Sequence, residues 1–525
     1  MSEVSPRNAP VHPAGDLEPV TIELDASPLA LDQISDWLDR RFIIRIHPSA
    51  VRRMEEAHAA LRRIVAQPEP AYGINTGFGN LCSKRIPADQ LAQLQLNLVR
   101  SHAVGVGPLV PRPIVRWMML LKLHAFTFGA SGVSQEVVNR ICRMLEADAL
   151  PLVPCQGSLG ASGDLAPLAH MVLPMIGEGR ADFAGEVVSG DEALKRLGVA
   201  PLNLGPKEGL ALINGTQFMS GHAVHAVVRA SHLLKAADVI AAMSLEGCMG
   251  SVKPFDERLH RLRPHPGAIA VAENIRRLMA DSEILASHAD CDRVQDPYSL
   301  RCVPQVHGAS RDAVQHVAKI VETEINSVTD NPVLLDDDNV ISGGLFHGQS
   351  LALALDYLAI ALAELASISE RRTYLLLSGS YGLPVLLLKE TGLNSGFMVP
   401  HYTTAALVSE NKGLCTPASV DSIPTSLGQE DHVSMGARAA VKCLQVLDNT
   451  ETVLAIEQLC AAQALDFRAP LKPGVGPRIA HGVLRKHIDH ATADRLFGED
   501  IQTSLCVLRS REVLRSIEQA IGPLH

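Results

Sequence analysis

Aromatic residues are scarce in this chain: two Trp, six Tyr and 11 Phe make up 4% of its 525 residues, although hydrophobic residues as a whole reach 47%. The core must therefore be filled by Leu, Ala, Val and Ile, which suits close helix packing better than a β-sandwich. There is no long Lys/Arg run, and 57 acidic against 47 basic residues leave a formal charge of -10, which argues against a nucleic-acid surface and for a small partner. Residues 1–18 are polar and Pro-containing without an apolar stretch, so neither a signal peptide nor a first membrane helix is expected, and the cytoplasm is the expected compartment. The longest apolar run, 351–368, is interrupted by Asp356 and Glu364 and reads as a buried bundle helix rather than a membrane span. Ten scattered cysteines form no dense disulfide framework, and reduced thiols are expected.

The pattern that is present is helical. Ala/Leu-rich segments at helical spacing predict helices over 210–247, 311–329, 347–377, 402–413 and 436–465, which together imply a mainly α fold built on a long central bundle. Between them lie irregular Gly/Pro/Asn/Ser/Asp stretches at 291–305, 330–346, 391–400 and 415–432, where a rigid scaffold would present site residues. Val20–Leu24 and Phe42–Ile46 read as short strands, and Pro48-Ser49 opens a helix. This suggests a flexible tail at 1–18, a smaller mixed α/β region at 19–218, and the long-helix bundle with C-terminal helices at 219–525. Residues 72–80, Tyr-Gly-Ile-Asn-Thr-Gly-Phe-Gly-Asn, should form a mobile loop; their glycine spacing fits neither a dinucleotide fingerprint nor a P-loop.

The most informative stretch is 157–170, Gly-Ser-Leu-Gly-Ala-Ser-Gly-Asp-Leu-Ala-Pro-Leu-Ala-His. If the Gly163 nitrogen attacks the Ala161 carbonyl carbon, a five-membered imidazolone closes, and loss of water from the Ser162 hydroxymethyl leaves an exocyclic methylene. Such a methylene is a Michael acceptor made without any external cofactor. Gly163 has no Cβ to block the close approach, Ser162 carries the hydroxyl that leaves, and Ala161 adds no bulk. As a bare tripeptide Ala-Ser-Gly is usually only a turn. The surrounding segment, however, resembles the cofactor-forming loop of the ammonia-lyases that carry 4-methylidene-imidazole-5-one, the family of histidine, phenylalanine and tyrosine ammonia-lyases.

Releasing ammonia from an α-amino acid needs activation of a poor leaving group and removal of a weakly acidic β-proton, hence an electrophile, a base, a carboxylate clamp and a side-chain pocket. Tyr72, taken alone, is more readily a loop tyrosine capping the core, but the Tyr72 loop is similar to the family's lid, whose tyrosine is the β-proton base. The segment Gln295-Asp296-Pro297-Tyr298-Ser299-Leu300-Arg301 resembles the one that carries the carboxylate-binding Arg and a ring-supporting Tyr, so the resemblance assigns those roles to Arg301 and Tyr298 and a polar site role to Gln295. A structural ion pair from Arg301 to Asp292 or Asp296 is the alternative. By the same resemblance Asn214, in Asn-Gly-Thr, hydrogen-bonds the ring carbonyl or the substrate carboxylate, and Phe346 packs near the ring. The pair Ser101-His102 and the segment from Gln429 to Met435 are similar to the family's histidine-specific members, which implies that His102 and Glu430 read the imidazole. Further shared segments are Thr329-Asp330-Asn331-Pro332 and Asn394-Ser395-Gly396-Phe397-Met398. His288-x-x-Cys291 and Cys302-x4-His307 have zinc-like local spacing, but the segment between them favours the lyase reading, and no metal is expected.

The resemblance spans roughly residues 51–467 and implies a mainly helical homotetramer, with sites shared between subunits, that turns L-histidine into urocanate and ammonia. Leu345 stands where the family ordinarily has Asn, His401 where it has Gln, Gly428 where it has Asn, and Gln349-Ser350 where its histidine enzymes commonly have Glu-Pro. Two alternatives stay open: a lyase or 2,3-aminomutase for tyrosine, phenylalanine or another amino acid, and a catalytically silent paralogue with a binding or assembly role.

Overall fold

The computed structural model describes residues 18–37, 40–77, 85–335 and 339–525. The fold is mainly helical, and its residues fall into two compact units. The first comprises the chain up to Val228, with Lys319–Leu355 and Ala418–Val441; the second comprises Arg229–Ala318, Asp356–Pro417 and Lys442–His525. The division falls inside four long helices, Gln217–Gly247, Val303–Ile325, Gln349–Leu377 and Gly436–Asp466. Two later segments of the chain return to the first unit, so each of these long helices carries residues of both.

In the first unit, Val20–Leu24 pairs in parallel with Phe42–Ile46, each strand burying alternate residues. The helix Pro48–Ala66 follows, with Pro in its first turn and the His47 side chain accepting a hydrogen bond from Ser49 N. The helix Arg112–Thr127 is buried on every face from Ile114 onward, with Arg116, Lys122, His124 and Thr127 among its apolar residues. A three-stranded antiparallel sheet joins Ala149–Pro151, Arg180–Phe183 and Glu186–Ser189.

In the second unit the core is made of small and aliphatic side chains, as the shortage of aromatics requires. Ala461, Ala462 and Ala464 are fully buried, and a Cβ on Gly247 would lie 3.1 Å from that of Ala464. Gly267 and Gly308 let two helices touch backbone to backbone: a Cβ on Gly267 would stand 2.2 Å from the Gly308 carbonyl oxygen. Among the described residues one helix, Gln349–Leu377, is long and apolar enough to cross a membrane, but 67% of its most apolar window is buried inside the protein. Asp356, one of the two charges in the apolar run, is buried and ion-paired at 2.5 Å to Lys442.

Several helix boundaries differ from the periodicity. The 210–247 helix is two, Glu208–Ile213 and Gln217–Gly247, parted at Asn214-Gly215-Thr216, where Asn214 is extended and Gly215 has φ +126°. Val303–Ile325 and Met398–Leu414 start earlier than expected because Pro304 and Pro400 fall in their first turns, where no intrahelical N–H is needed. The described part of the 72–80 loop is tied down: Ala71 N donates to Asn75 Oδ1 at 2.7 Å, Asn75 Nδ2 to Glu69 O at 2.9 Å, and residues 73–77 are buried. Phe78, Gly79 and Asn80 lie outside the described residues.

Candidate functional site

The Ala161-Ser162-Gly163 turn is built from left-handed residues, with φ +84° at Gly160, +51° at Ser162 and +75° at Gly163. At Gly163 the requirement is also steric, since a Cβ there would stand 2.2 Å from the Gly215 carbonyl oxygen. The two glycines form a parallel bridge: Asp164 N donates to Gly215 O at 2.8 Å, and Gly215 N to Ser162 O at 3.4 Å. Asn214 Nδ2 gives the same Ser162 oxygen a second donor at 3.1 Å. Asn214 Oδ1 is buried and meets no donor among the described residues. On the other side of the turn, Met435 N donates to Leu159 O at 3.0 Å, and the Ser434 hydroxyl occupies the space a Cβ on Gly160 would take.

Beneath the turn lie charges that the sequence reading passed over. Asp164, fully buried, accepts from Met219 N at 3.0 Å and from the Ser158 hydroxyl at 3.3 Å; burial pushes its carboxyl up to about 7 against those hydrogen bonds. Lys122, also buried, donates to Ala211 O at 3.1 Å and Asn214 O at 2.6 Å, and burial pulls its ammonium down to about 7. Its signal in the sequence was a single Lys inside the otherwise apolar run Trp117-Met118-Met119-Leu120-Leu121-Lys122-Leu123. Lys207, buried, pairs with Asp330 at 2.9 Å, and Asp330 also accepts from Ser131. Asn331 accepts from Gly343 N at 2.7 Å and so tethers the irregular segment leading to Phe346. The Thr329-to-Pro332 segment is thus a buttress.

His102 ends the helix Leu91–His102, and its Nδ1 lies 2.8 Å from Leu98 O, a pure acceptor. Nδ1 therefore carries the proton and Nε2 presents a lone pair; burial lowers the pKa and keeps the ring neutral. Glu430 is partly buried and its Oε2 meets no donor among the described residues. Phe346 and Tyr72 are half-buried in the same unit.

In the second unit, Arg301 lies with its guanidinium 4.3 Å from the centroid of the Tyr298 ring, and its buried Nε has no partner among the described residues. The ion pair with Asp296, one of the two alternatives beside Asp292, is not formed: Asp296 is paired with Arg293 at 3.3 Å and accepts from Ser251 N at 2.6 Å. Tyr298 is 69% exposed, and Gln295 is exposed too. The zinc-spaced residues are engaged elsewhere, His288 on the Ile284 and Gly250 carbonyls and His307 between Asp238 and Arg372. Among the described residues no group of three metal-ligating side chains occurs.

Residues 29–486 match the model of the family described as aromatic amino acid lyase. The chain belongs to that family. It is 50% identical over 504 residues to a histidine ammonia-lyase of Gloeobacter violaceus, covering 95% of this chain and 98% of that protein. Among solved structures, a histidine ammonia-lyase from Trypanosoma cruzi superposes with TM-score 0.88 at 40% identity, covering 96% of each chain. A tyrosine aminomutase from Streptomyces globisporus superposes with TM-score 0.89 at 33% identity, covering 95% of this chain and 99% of that one. The enzyme is accordingly a lyase of this family, whose members are known for the 4-methylidene-imidazole-5-one group.

Against that background the departures acquire physical meaning. Gly428 has φ +85°, a left-handed backbone that Gly adopts freely and that Asn adopts more readily than other side-chain-bearing residues, so the exchange is compatible with the turn. His401 Nε2 donates to the Glu370 carboxylate at 2.8 Å, in the second unit. Leu345 is 52% exposed. The 394–398 segment is structural: Ser395 N and Gly396 N donate to Asp494, and Phe397 is buried against Phe497.

Proposed function

We propose that this lyase removes ammonia from L-histidine to give trans-urocanate, in the cytoplasm, using a 4-methylidene-imidazole-5-one formed from Ala161, Ser162 and Gly163. The observation that carries this reading is the hold on the Ser162 carbonyl by Asn214 Nδ2 and Gly215 N, together with a Gly163 that has no room for a side chain. The residues fit the group: the ring oxygen would be the Ser162 oxygen, already met by two N–H donors. Half identity to a histidine ammonia-lyase over nearly the whole chain supports the substrate.

Once formed, the group supplies an electrophilic carbon toward the substrate nitrogen. Asn214 and Gly215 withdraw electron density through the Ser162 oxygen, which raises that electrophilicity. Tyr72 takes the β-proton, and Arg301, steadied on the Tyr298 face, clamps the carboxylate with its planar fork. His102 Nε2 accepts an imidazole N–H, and the unpartnered Glu430 oxygen accepts a second ring or amine N–H. Phe346 closes the ring side and Gln295 contributes a polar edge. The working form is a homotetramer with shared sites: Val294 (95% exposed), Tyr298 and Leu427 (93% exposed) leave apolar surface bare beside site segments, as expected where another subunit covers it.

A substrate panel on purified protein tests the reading. Urocanate absorbance with histidine and none with tyrosine or phenylalanine is expected. Cinnamate or coumarate would make it an aromatic lyase, β-amino acid without free ammonia an aminomutase, and no turnover together with an uncyclised 161–163 peptide a silent paralogue.

A further inference from the structure

We propose that Lys122 is a positioning residue for the electrophile: by holding the Ala211 and Asn214 carbonyls it fixes the Asn214-Gly215 turn whose two N–H groups grip Ser162 O. This rests on the reading of Ala161-Ser162-Gly163 as the ring-forming segment. Lys122 comes from the buried helix Arg112–Thr127, and its Nζ reaches the C-terminal end of the helix Glu208–Ile213, where carbonyls have no intrahelical partner. A cation there also meets the negative end of the helix dipole. The turn cannot drift toward it or away from it. A Cβ on Gly215 would stand 2.6 Å from Gln217 Oε1, 2.8 Å from Thr329 Oγ1 and 3.2 Å from Lys122 Nζ, so three polar atoms converge on that α-carbon. Gln217 Nε2 in turn donates to Thr329 Oγ1 at 2.8 Å. Lys122 thus sets where the Asn214 amide and the Gly215 N–H stand without touching the segment they hold. The charged groups that face it are Asp164, Asp330 and Lys207; the two carboxylates favour the ammonium and Lys207 opposes it.

Ring closure expels one water, as the Gly163 nitrogen bonds to the Ala161 carbonyl carbon and that carbonyl oxygen leaves with the Gly163 and Ser162 amide protons to give a C=N bond to the Ser162 nitrogen, and a second as the Ser162 hydroxyl leaves with its α-proton. Intact mass of folded protein, followed after synthesis, therefore counts maturation directly as the loss of two waters. The test compares Lys122→Arg, Lys122→Gln and Lys122→Met, each isolated as folded protein by size exclusion. Maturation and kcat should fall on the order of ten- to a hundredfold in Lys122→Met, less in Lys122→Gln, and recover in Lys122→Arg, with KM for histidine changed far less than kcat. In an Asn214→Ala background, Lys122→Met should add little further loss, because both act through one turn. Wild-type maturation and kcat in a folded Lys122→Met protein would overturn the proposal. So would full additivity with Asn214→Ala, or failure of Lys122→Arg to recover the ring. Loss of folding in both the Met and Gln variants beside a normal Arg variant would also overturn it, making Lys122 a residue of the fold alone. Absence of the two-water loss in the wild type would instead defeat the ring assignment itself.

Discussion

Gly163→Ala isolates the close approach on which ring formation depends. Alanine at φ +75° costs about 1 kcal/mol in backbone strain. The new Cβ would sit 2.2 Å from Gly215 O, about 1 Å short of ordinary van der Waals contact, and its neighbour is backbone rather than a side chain that can swing away. The turn must therefore open, and the 2.8 Å bond from Asp164 N to Gly215 O breaks, leaving a buried donor unpaired at a cost of about 1–3 kcal/mol. The sum, about 2–4 kcal/mol, is below the roughly 5–15 kcal/mol that holds a folded domain together, so the helical body should survive while the turn does not. Gly198→Ala provides the control: its φ of +66° imposes the same strain, but nothing lies within 4 Å of the added carbon. Circular dichroism should show both variants helical, intact mass should show the two-water loss only in Gly198→Ala, and turnover in Gly163→Ala should fall on the order of a hundredfold or more. A Gly163→Ala protein that cyclises and turns over like the control would refute the reasoning.

Ser162→Ala removes the hydroxyl that must leave; the expected result is a folded protein with no methylene and almost no ammonia release, and normal activity would exclude the ring mechanism. His102→Leu deletes the Nε2 lone pair, so kcat/KM for histidine should drop by a larger factor than for phenylalanine or tyrosine, whereas equal losses would remove His102 from substrate reading. Asp466 accepts from His481, Arg485 and His490, and these partners hold its carboxyl far below the usual range despite burial. A depressed folded-state pKa gives stability that is present above the unfolded value of about 3.9 and is lost as pH falls below it. Asp466→Asn should therefore lower the thermal midpoint at pH 6 and have a shrinking effect from pH 4 downward; a gap that is independent of pH would contradict this.

Much of the fold was legible because its determinants are local. Val20–Leu24 and Phe42–Ile46 are the strands that alternation marked, and the long bundle helices follow the Ala/Leu periodicity to within a turn at most ends. The expectations erred where tertiary demands override period. Asn214-Gly215-Thr216 breaks an otherwise continuous apolar pattern, because Gly215 must take a positive φ against Gly163, and only the partner segment makes that necessary. The resemblance offered Asn214 the ring carbonyl or the substrate carboxylate, and its amide donates to Ser162 O, but Lys122, Asp164 and the Lys207–Asp330 pair were not assigned roles. A buried charge reveals itself in sequence only as an interruption, and its partners lie up to 123 residues away. For Arg301 the resemblance, not the spacing, chose carboxylate binding over a structural ion pair, since spacing alone cannot say that Asp296 is already taken by Arg293.

The segment around Ser162 is gripped by Asn214 and Gly215 from one stretch of chain and by Met435 from another far downstream. A polypeptide still emerging from the ribosome lacks the last of these until residue 435 has been made, so the reactive carbon would be born only in chains that have already folded around it. On the proposed ring chemistry, arming would be a late checkpoint at which truncated or misfolded copies stay chemically inert.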